Sequence, residues 1–158
     1  MDPPCGEERV REILASVADP EIPTLSILDL GIVRGIRWAG DRYEISITPT
    51  YAGCPALATI EAEIVGAMRR AEVPAAVRRT LAPAWTTAWL TESAREKLRE
   101  SGIAPPGPAE MRLDPGPVAC PHCGSSDTER ISAFGSTACK SLHRCTACGS
   151  PFDYFKPI

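Results

Sequence analysis

Two short cysteine pairs close the chain, "CPHCG" at 120–124 and "CTACG" at 145–149. A CxxC turn presents two sulfurs to one ion, and zinc prefers a tetrahedron of thiolates. The glycine after each pair permits positive φ, so backbone amides can turn toward the sulfurs. Cys120, Cys123, Cys145 and Cys148 are therefore expected to hold a structural zinc ion in a zinc ribbon. A rubredoxin-type iron or an iron–sulfur cluster uses similar cysteine geometry and stays open on spacing alone. Residues 120–158 are too few to bury an adequate core. A bound metal would contribute on the order of 10–16 kcal/mol of binding free energy to such a module. His122 and His143 stand beside the pairs, but four thiolates already complete the tetrahedron. They are read as neighbours of the ligands or as solvent-facing groups.

Three more cysteines lie outside these pairs. Cys139, in "FGSTACKSLHRC", reads first as a small buried side chain in the ribbon hairpin. The alternative is an extra functional thiol that cooperates with Cys54. Cys5 has no hydrophobic segment before it, which leaves a lipid anchor without support.

Cys54 stands alone in "TPTYAGCPA", between a predicted strand and a predicted helix. Proline is favoured at the first helical position, so Pro55 puts Cys54 near the N-cap. Free amides and the positive helix end would there favour a thiolate. No His, Lys or Arg lies within several residues, so a Cys–His hydrolase pair has no local support. Two readings remain, a buried cysteine at a helix start and a ligand for a soft metal or cluster. One thiol cannot hold an iron–sulfur centre. A second copy of the chain in a homodimer, or a transient complex with another protein, would have to supply the rest.

The elements that must position these thiols follow from periodicity. Val10, Ile13, Leu14 and Val17 fall at helical spacing, and Pro20 stops that helix. "IVRGIRW", the turn "AGD" and "RYEISITPT" make a hairpin with Tyr43, Ile45 and Ile47 on one face. Leu57, Ile60, Ile64 and Met68 form a second helical stripe, widened by Val65. "AVRRTLAPAW" reads as a third strand, and "TESAREKLRESG" as a charged helix capped by Thr91 or Ser93 and stopped at Gly102. The order α-β-β-α-β-α describes an α+β sandwich, with helices on one face of a three-stranded sheet. "IAPPGPAEMRLDPGPVA" is a Pro/Gly-rich linker or an extended arm. The expected division is a domain at 1–104, a linker at 105–119 and a zinc ribbon at 120–158.

Composition narrows the function classes. The net charge is -3, with 23% charged residues. Neither half is basic, which argues against a nucleic-acid partner. The start has no apolar signal region, and no run of about 18 apolar residues would span a membrane. Odd cysteine usage in CxxC pairs, without an export signal, points to metal or redox chemistry in the cytoplasm.

"DPEIPTLSILDLGIVRGI" followed by "TPTYAGCPA" resembles the small domain of SufT-like iron–sulfur assembly proteins. With "PAWTTAWLTESAREKLRESGIAPP" and the cysteine-rich tail, the whole chain is similar to the PaaD family, the D components encoded with bacterial phenylacetyl-CoA ring epoxidases. The resemblance implies an accessory maturation factor for iron or iron–sulfur centres of that oxygenase in aerobic phenylacetate degradation. Its implied partners are the oxygenase and reductase components and the iron–sulfur assembly machinery. Its implied cofactors are structural zinc and a transient iron–sulfur cluster or iron. Cys54 would be the family's reactive cysteine, flanked by Thr48 and Thr50, with Asp19, Glu21 and Asp29 at the upstream acidic positions. No catalytic residue is implied. The alternative is a non-catalytic adaptor component in which both cysteine sites only hold shape.

Overall fold

The computed structural model describes residues 2–108 and 116–158. Residues 109–115 of the expected linker lie outside the described residues. The chain divides into two compact units, Met1–Trp85 and Thr86–Ile158. This differs from a boundary after residue 104, and the reason lies in how little of the third helix is apolar.

The first unit contains α1 (Glu7–Ala15), β1 (Val33–Trp38), β2 (Tyr43–Ile47), α2 (Leu57–Arg70) and β3 (Ala75–Arg79). Its sheet runs β1-β2-β3, antiparallel across the first pair and parallel across the second. The hairpin turn closes with the Ala39 N–H on the Arg42 carbonyl at 2.8 Å, and Gly40 supplies the positive φ of 97°. The parallel pair needs a crossover, which α2 provides. Alternation puts Tyr43, Ile45 and Ile47 in the core, and the α2 stripe of Leu57, Ile60, Ile64 and Met68 is buried with them. Each such side chain contributes about 1.5–3 kcal/mol by burial. Val65 does not widen the stripe as expected. It stays 45% exposed on the flank of α2.

Between α1 and β1 the chain has no regular element, yet Ile22, Leu25, Ile27, Leu30 and Ile32 are buried. Two aspartates make this possible by satisfying backbone donors. The Asp19 carboxylate accepts the Glu21 and Ile22 N–H groups, both at 2.8 Å. Asp29 and Ser26 exchange side-chain-to-amide bonds at 2.9 and 3.0 Å. Trp85 is buried too, and its indole N–H donates to the Leu30 carbonyl at 2.8 Å.

The second unit opens with a 3-10 turn at Thr87–Trp89, then α3 (Glu92–Glu100), β4 (Ile103–Ala104), β5 (Thr128–Ser132), β6 (Lys140–Cys145) and β7 (Pro151–Phe155). Thr91 caps α3 by accepting the Ala94 N–H at 3.0 Å, and Gly102 ends it with a φ of 75°. The sheet order is β4-β7-β6-β5, with β4 parallel to β7 and the other pairs antiparallel. The helix α3 buries only Ala94 and Leu98, too little to anchor a helix alone. Arg95 ties it in, donating to the Pro106 carbonyl at 2.7 Å and the Thr87 carbonyl at 3.1 Å. Residues on either side of 109–115 behave as an arm on the ribbon. The Gly107 N–H meets the Tyr154 hydroxyl, and Val118 is buried in a cluster with Ala104, Cys120, Cys145, Phe152 and Tyr154. Those contacts place α3 and β4 with the ribbon.

Candidate metal centre and thiol loop

The four paired cysteines converge. One potential ligand atom from each of Cys120, Cys123, Cys145 and Cys148 lies within 4.8 Å of all the others. Two local turns of the same design bring them there. In the first, the Gly124 N–H donates to the Cys120 carbonyl at 2.8 Å and the Cys120 N–H to the Ser125 carbonyl at 2.9 Å. In the second, the Gly149 N–H donates to Cys145 and the Cys145 N–H to Ser150, both at 2.9 Å. Gly124 and Gly149 take φ of 76° and 78° with open space beside them, so conformation rather than room requires glycine.

Sulfur spacing tests the fit to a metal. A zinc–sulfur bond of about 2.3 Å in a tetrahedron sets sulfurs roughly 3.8 Å apart. Here Cys120 Sγ and Cys148 Sγ are 3.9 Å apart, and Cys123 Sγ and Cys145 Sγ 3.5 Å. Four thiols so close release their protons as a set. The Ser150 hydroxyl and amide draw Cys148 down to about 6. The Ser125 amide also favours the Cys123 thiolate, but contact with the Cys145 thiol, burial and the other two sulfurs outweigh it and push Cys123 up to about 12. A divalent cation lets all four stay ionised, which is the form that ligates. Geometry and donor set fit a closed tetrahedral zinc site.

Neither histidine is a ligand. His122 is exposed beside the first turn. His143 is buried, bonded through Nε2 to the Ser141 hydroxyl at 2.9 Å and packed on Phe152 and Tyr154 at ring distances of 5.7 and 5.5 Å. Burial, reinforced by Arg130, pushes its imidazole toward the neutral form. Cys139 also lies outside the cluster, buried, with its sulfur 3.0 Å from the Thr137 hydroxyl.

Cys54 occupies a different setting. The N-cap of α2 is Ala56, so Cys54 precedes the helix instead of capping it. A tight turn holds it, with the Cys54 N–H on the Tyr51 carbonyl at 3.2 Å. Gly53 has the positive φ of 82° that the third position of a type II turn requires. The thiol is not held low as expected. Burial pushes it up, the Ala56 amide and the Thr50 hydroxyl bond to it and pull the other way, and the Glu21 and Asp19 charges raise it further.

The fold thus brings Thr50, Asp19 and Glu21 into the surroundings of Cys54. Thr48 is 1% exposed at the end of β2, and its hydroxyl has no hydrogen-bond partner among the described residues. Asp29 is engaged with Ser26. Sequence reading gave Asp19 and Asp29 no structural task. Yet an Asp two or three residues before a turn amide, as Asp19 is, is a familiar turn-former, and Ser26 with Asp29 three residues on is a reciprocal side-chain-to-amide pair. It also missed Lys140, buried in β6 with its ammonium 3.9 Å from Asp153.

Comparison with known proteins follows the same division. Residues 104–156 match the family model of the PaaD zinc beta ribbon domain, and residues 7–79 match that of the iron-sulfur cluster assembly protein. A protein of Escherichia coli (strain K12), named for the D component of 1,2-phenylacetyl-CoA epoxidase, is 49% identical over 152 residues, covering 92% of this chain and 90% of its own. Among solved structures, a domain of unknown function from Bacillus anthracis is 25% identical with a TM-score of 0.53, covering 58% of this chain and 90% of that one. A conserved hypothetical protein from Thermotoga maritima is 27% identical with a TM-score of 0.52, covering 62% and 98%. No helix among the described residues is long and apolar enough to cross a membrane.

Proposed function

This chain belongs to the family of the 1,2-phenylacetyl-CoA epoxidase D components, and on that premise we propose that it is an accessory maturation factor. It helps assemble iron or iron–sulfur centres of the epoxidase system, in association with the oxygenase and reductase components. The observation that carries this reading is one chain joining a domain of the iron-sulfur cluster assembly type, with its own isolated thiol, to a zinc ribbon.

The two thiol sites divide the work. Cys120, Cys123, Cys145 and Cys148 hold zinc with no open position, so that metal organises the ribbon and takes no part in transfer. Cys54 is the point of contact with iron or a cluster as cargo. It is partly exposed, lies in a tight turn, and has carboxylates from Asp19 and Glu21 in its field. A thiol raised by burial and negative charge stays protonated until a cation approaches, then gives up its proton to ligation. Thr50 hydrogen-bonds the sulfur and orients it.

A second reading, a non-catalytic adaptor component, draws on the same raised thiol, since a cysteine without a basic neighbour is not activated for chemistry. Zinc and iron per chain, measured on anaerobically purified wild type and Cys54→Ser, distinguish the two. Equal zinc in both, with iron bound only by wild type, supports the maturation role. Zinc alone in both proteins, with full epoxidase output in cells carrying Cys54→Ser, leaves the adaptor.

A further inference from the structure

The first unit ends its sheet on an open edge. β3 pairs only with β2, and among the described residues no strand lies on its other side. The Tyr43 N–H meets the Pro74 carbonyl and the Thr80 N–H meets the Ile47 carbonyl, both at 2.8 Å. Even-numbered residues of β3 therefore face β2. The period of two turns the N–H and C=O groups of Ala75, Val77 and Arg79 outward. Open edges are blunted by bulges, prolines, shortness or charge; β3 is short and ends in Arg78 and Arg79, but it has no internal proline and its register with β2 runs without a shift.

Beside that edge runs a cleft of about 600 Å³ between α2 and β3, floored by Val77 and walled by Ala58, Ala62, Val65 and Gly66, with Glu61 and Arg69 also on its wall. It continues through Val65 and Arg69 into a second hollow of about 470 Å³ that reaches Ala75. The small residues Ala58, Ala62 and Gly66 recur every four positions, so the wall is low beside the outward backbone groups. Val65 at 45% exposure is the large apolar residue left uncovered on it.

We propose that this edge binds an extended segment of a partner protein as a fourth strand, one whose residues alternate between apolar and acidic. The alternation follows from the two faces of β3. Ala75 and Val77 line the hollows and Arg79 reaches Glu61 on α2, its Nη2 at 2.6 Å. Odd-numbered residues thus face the helix, and Ala76 and Arg78 face the opposite side. A strand laid alongside sends every second side chain beneath α2, toward Val77, Ala58, Ala62 and Val65, where Glu61 is already engaged by Arg79 and Arg69 stands at the junction of the two hollows. The intervening side chains emerge beside Arg78, which is exposed and makes no ion pair among the described residues. Main-chain bonds would supply affinity and the alternating pockets specificity. A second copy of β3, "AAVRR", fits less well, because it brings further arginines to an arginine.

A short fluorescein-labelled peptide alternating glutamate and valine tests this on the full chain, with a lysine–valine peptide as control. The glutamate peptide should bind by anisotropy and shift the amide resonances of Ala75, Val77 and Arg79. Arg78→Glu should weaken it roughly three- to tenfold, the scale of an exposed ion pair turned repulsive. Val77→Pro removes an outward N–H while leaving the bonds to β2, and should weaken binding about tenfold, with circular dichroism confirming the fold. Three results would overturn the proposal: no binding to wild type, equal binding of the lysine peptide, or indifference to Arg78→Glu. Self-association in sedimentation that Val77→Pro abolishes, without peptide binding, would assign the edge to a second copy instead.

Discussion

The four-cysteine cluster and the Cys54 loop use the same side chain for opposite ends. In the cluster, two near-identical turns point four sulfurs at one spot, and backbone amides of Ser125 and Ser150 reach the outer pair. Everything the metal needs is supplied within one unit. In the loop, a single thiol sits in a tight turn beside the carboxylates of Asp19 and Glu21, with its own proton held on. One sulfur alone cannot enclose a metal, so the ligand role proposed for Cys54 requires donors from outside this loop. The contrast separates four cysteines gathered in one cluster from a thiol that stands alone, and the proposed roles rest on that difference.

The largest effect that would break this contrast is at the cluster. Cys145→Ser should remove zinc and with it binding free energy on the order of 10 kcal/mol. The β4–β7 sheet then loses its dispersed amide resonances while those of Met1–Trp85 persist. A ribbon that stays folded without metal would show the hydrophobic cluster around Phe152 to be sufficient. Next in size is Cys54→Ser, expected to retain one zinc per chain and melt within about 2 °C of wild type, yet to abolish epoxidase maturation in cells.

A smaller effect sharpens the electrostatic side. Because the Cys54 thiol is raised, its alkylation by iodoacetamide should lag that of a free cysteine between about pH 8 and 9 and catch up only at higher pH. Glu21→Gln lowers that barrier, and the rate should rise roughly two- to threefold, the size of one exposed charge interaction. By the same linkage, whatever stability the neutral thiol contributes is present below its unfolded pKa and lost as pH rises through the folded one. The smallest effect is at Cys139. Cys139→Ser should cost about 1 kcal/mol and leave zinc content and maturation unchanged, in line with its buried place beside Thr137. Lost maturation with intact zinc would instead give it the functional role.

Much of the cluster could be read in one dimension. A CxxCG turn is local, so ligand pairing and glycine conformation are written within a few residues. The hairpin from Val33 to Ile47 and the buried face of α2 were legible for the same reason, since pleat and helix periods are short-range. Val65 broke that pattern, because periodicity marks a stripe but not where its edge meets solvent. Cys54 was visible as an isolated thiol before Pro55, but its protonation was not. The N-cap position implied a lowered pKa, and the folded chain raises it through burial and two carboxylates from far upstream.

Residue types and spacing by themselves determined that this protein carries a four-cysteine set suited to a metal and keeps one thiol apart, because those features are encoded within single turns. Tertiary structure alone decided that α3 and β4 join the ribbon, that Asp19 and Glu21 surround Cys54, and that β3 has no strand on its outer side among the described residues. Each of these depends on contacts between residues distant along the chain. Such contacts are selected by which surfaces remain to be buried once the local elements exist, and no local pattern records that choice.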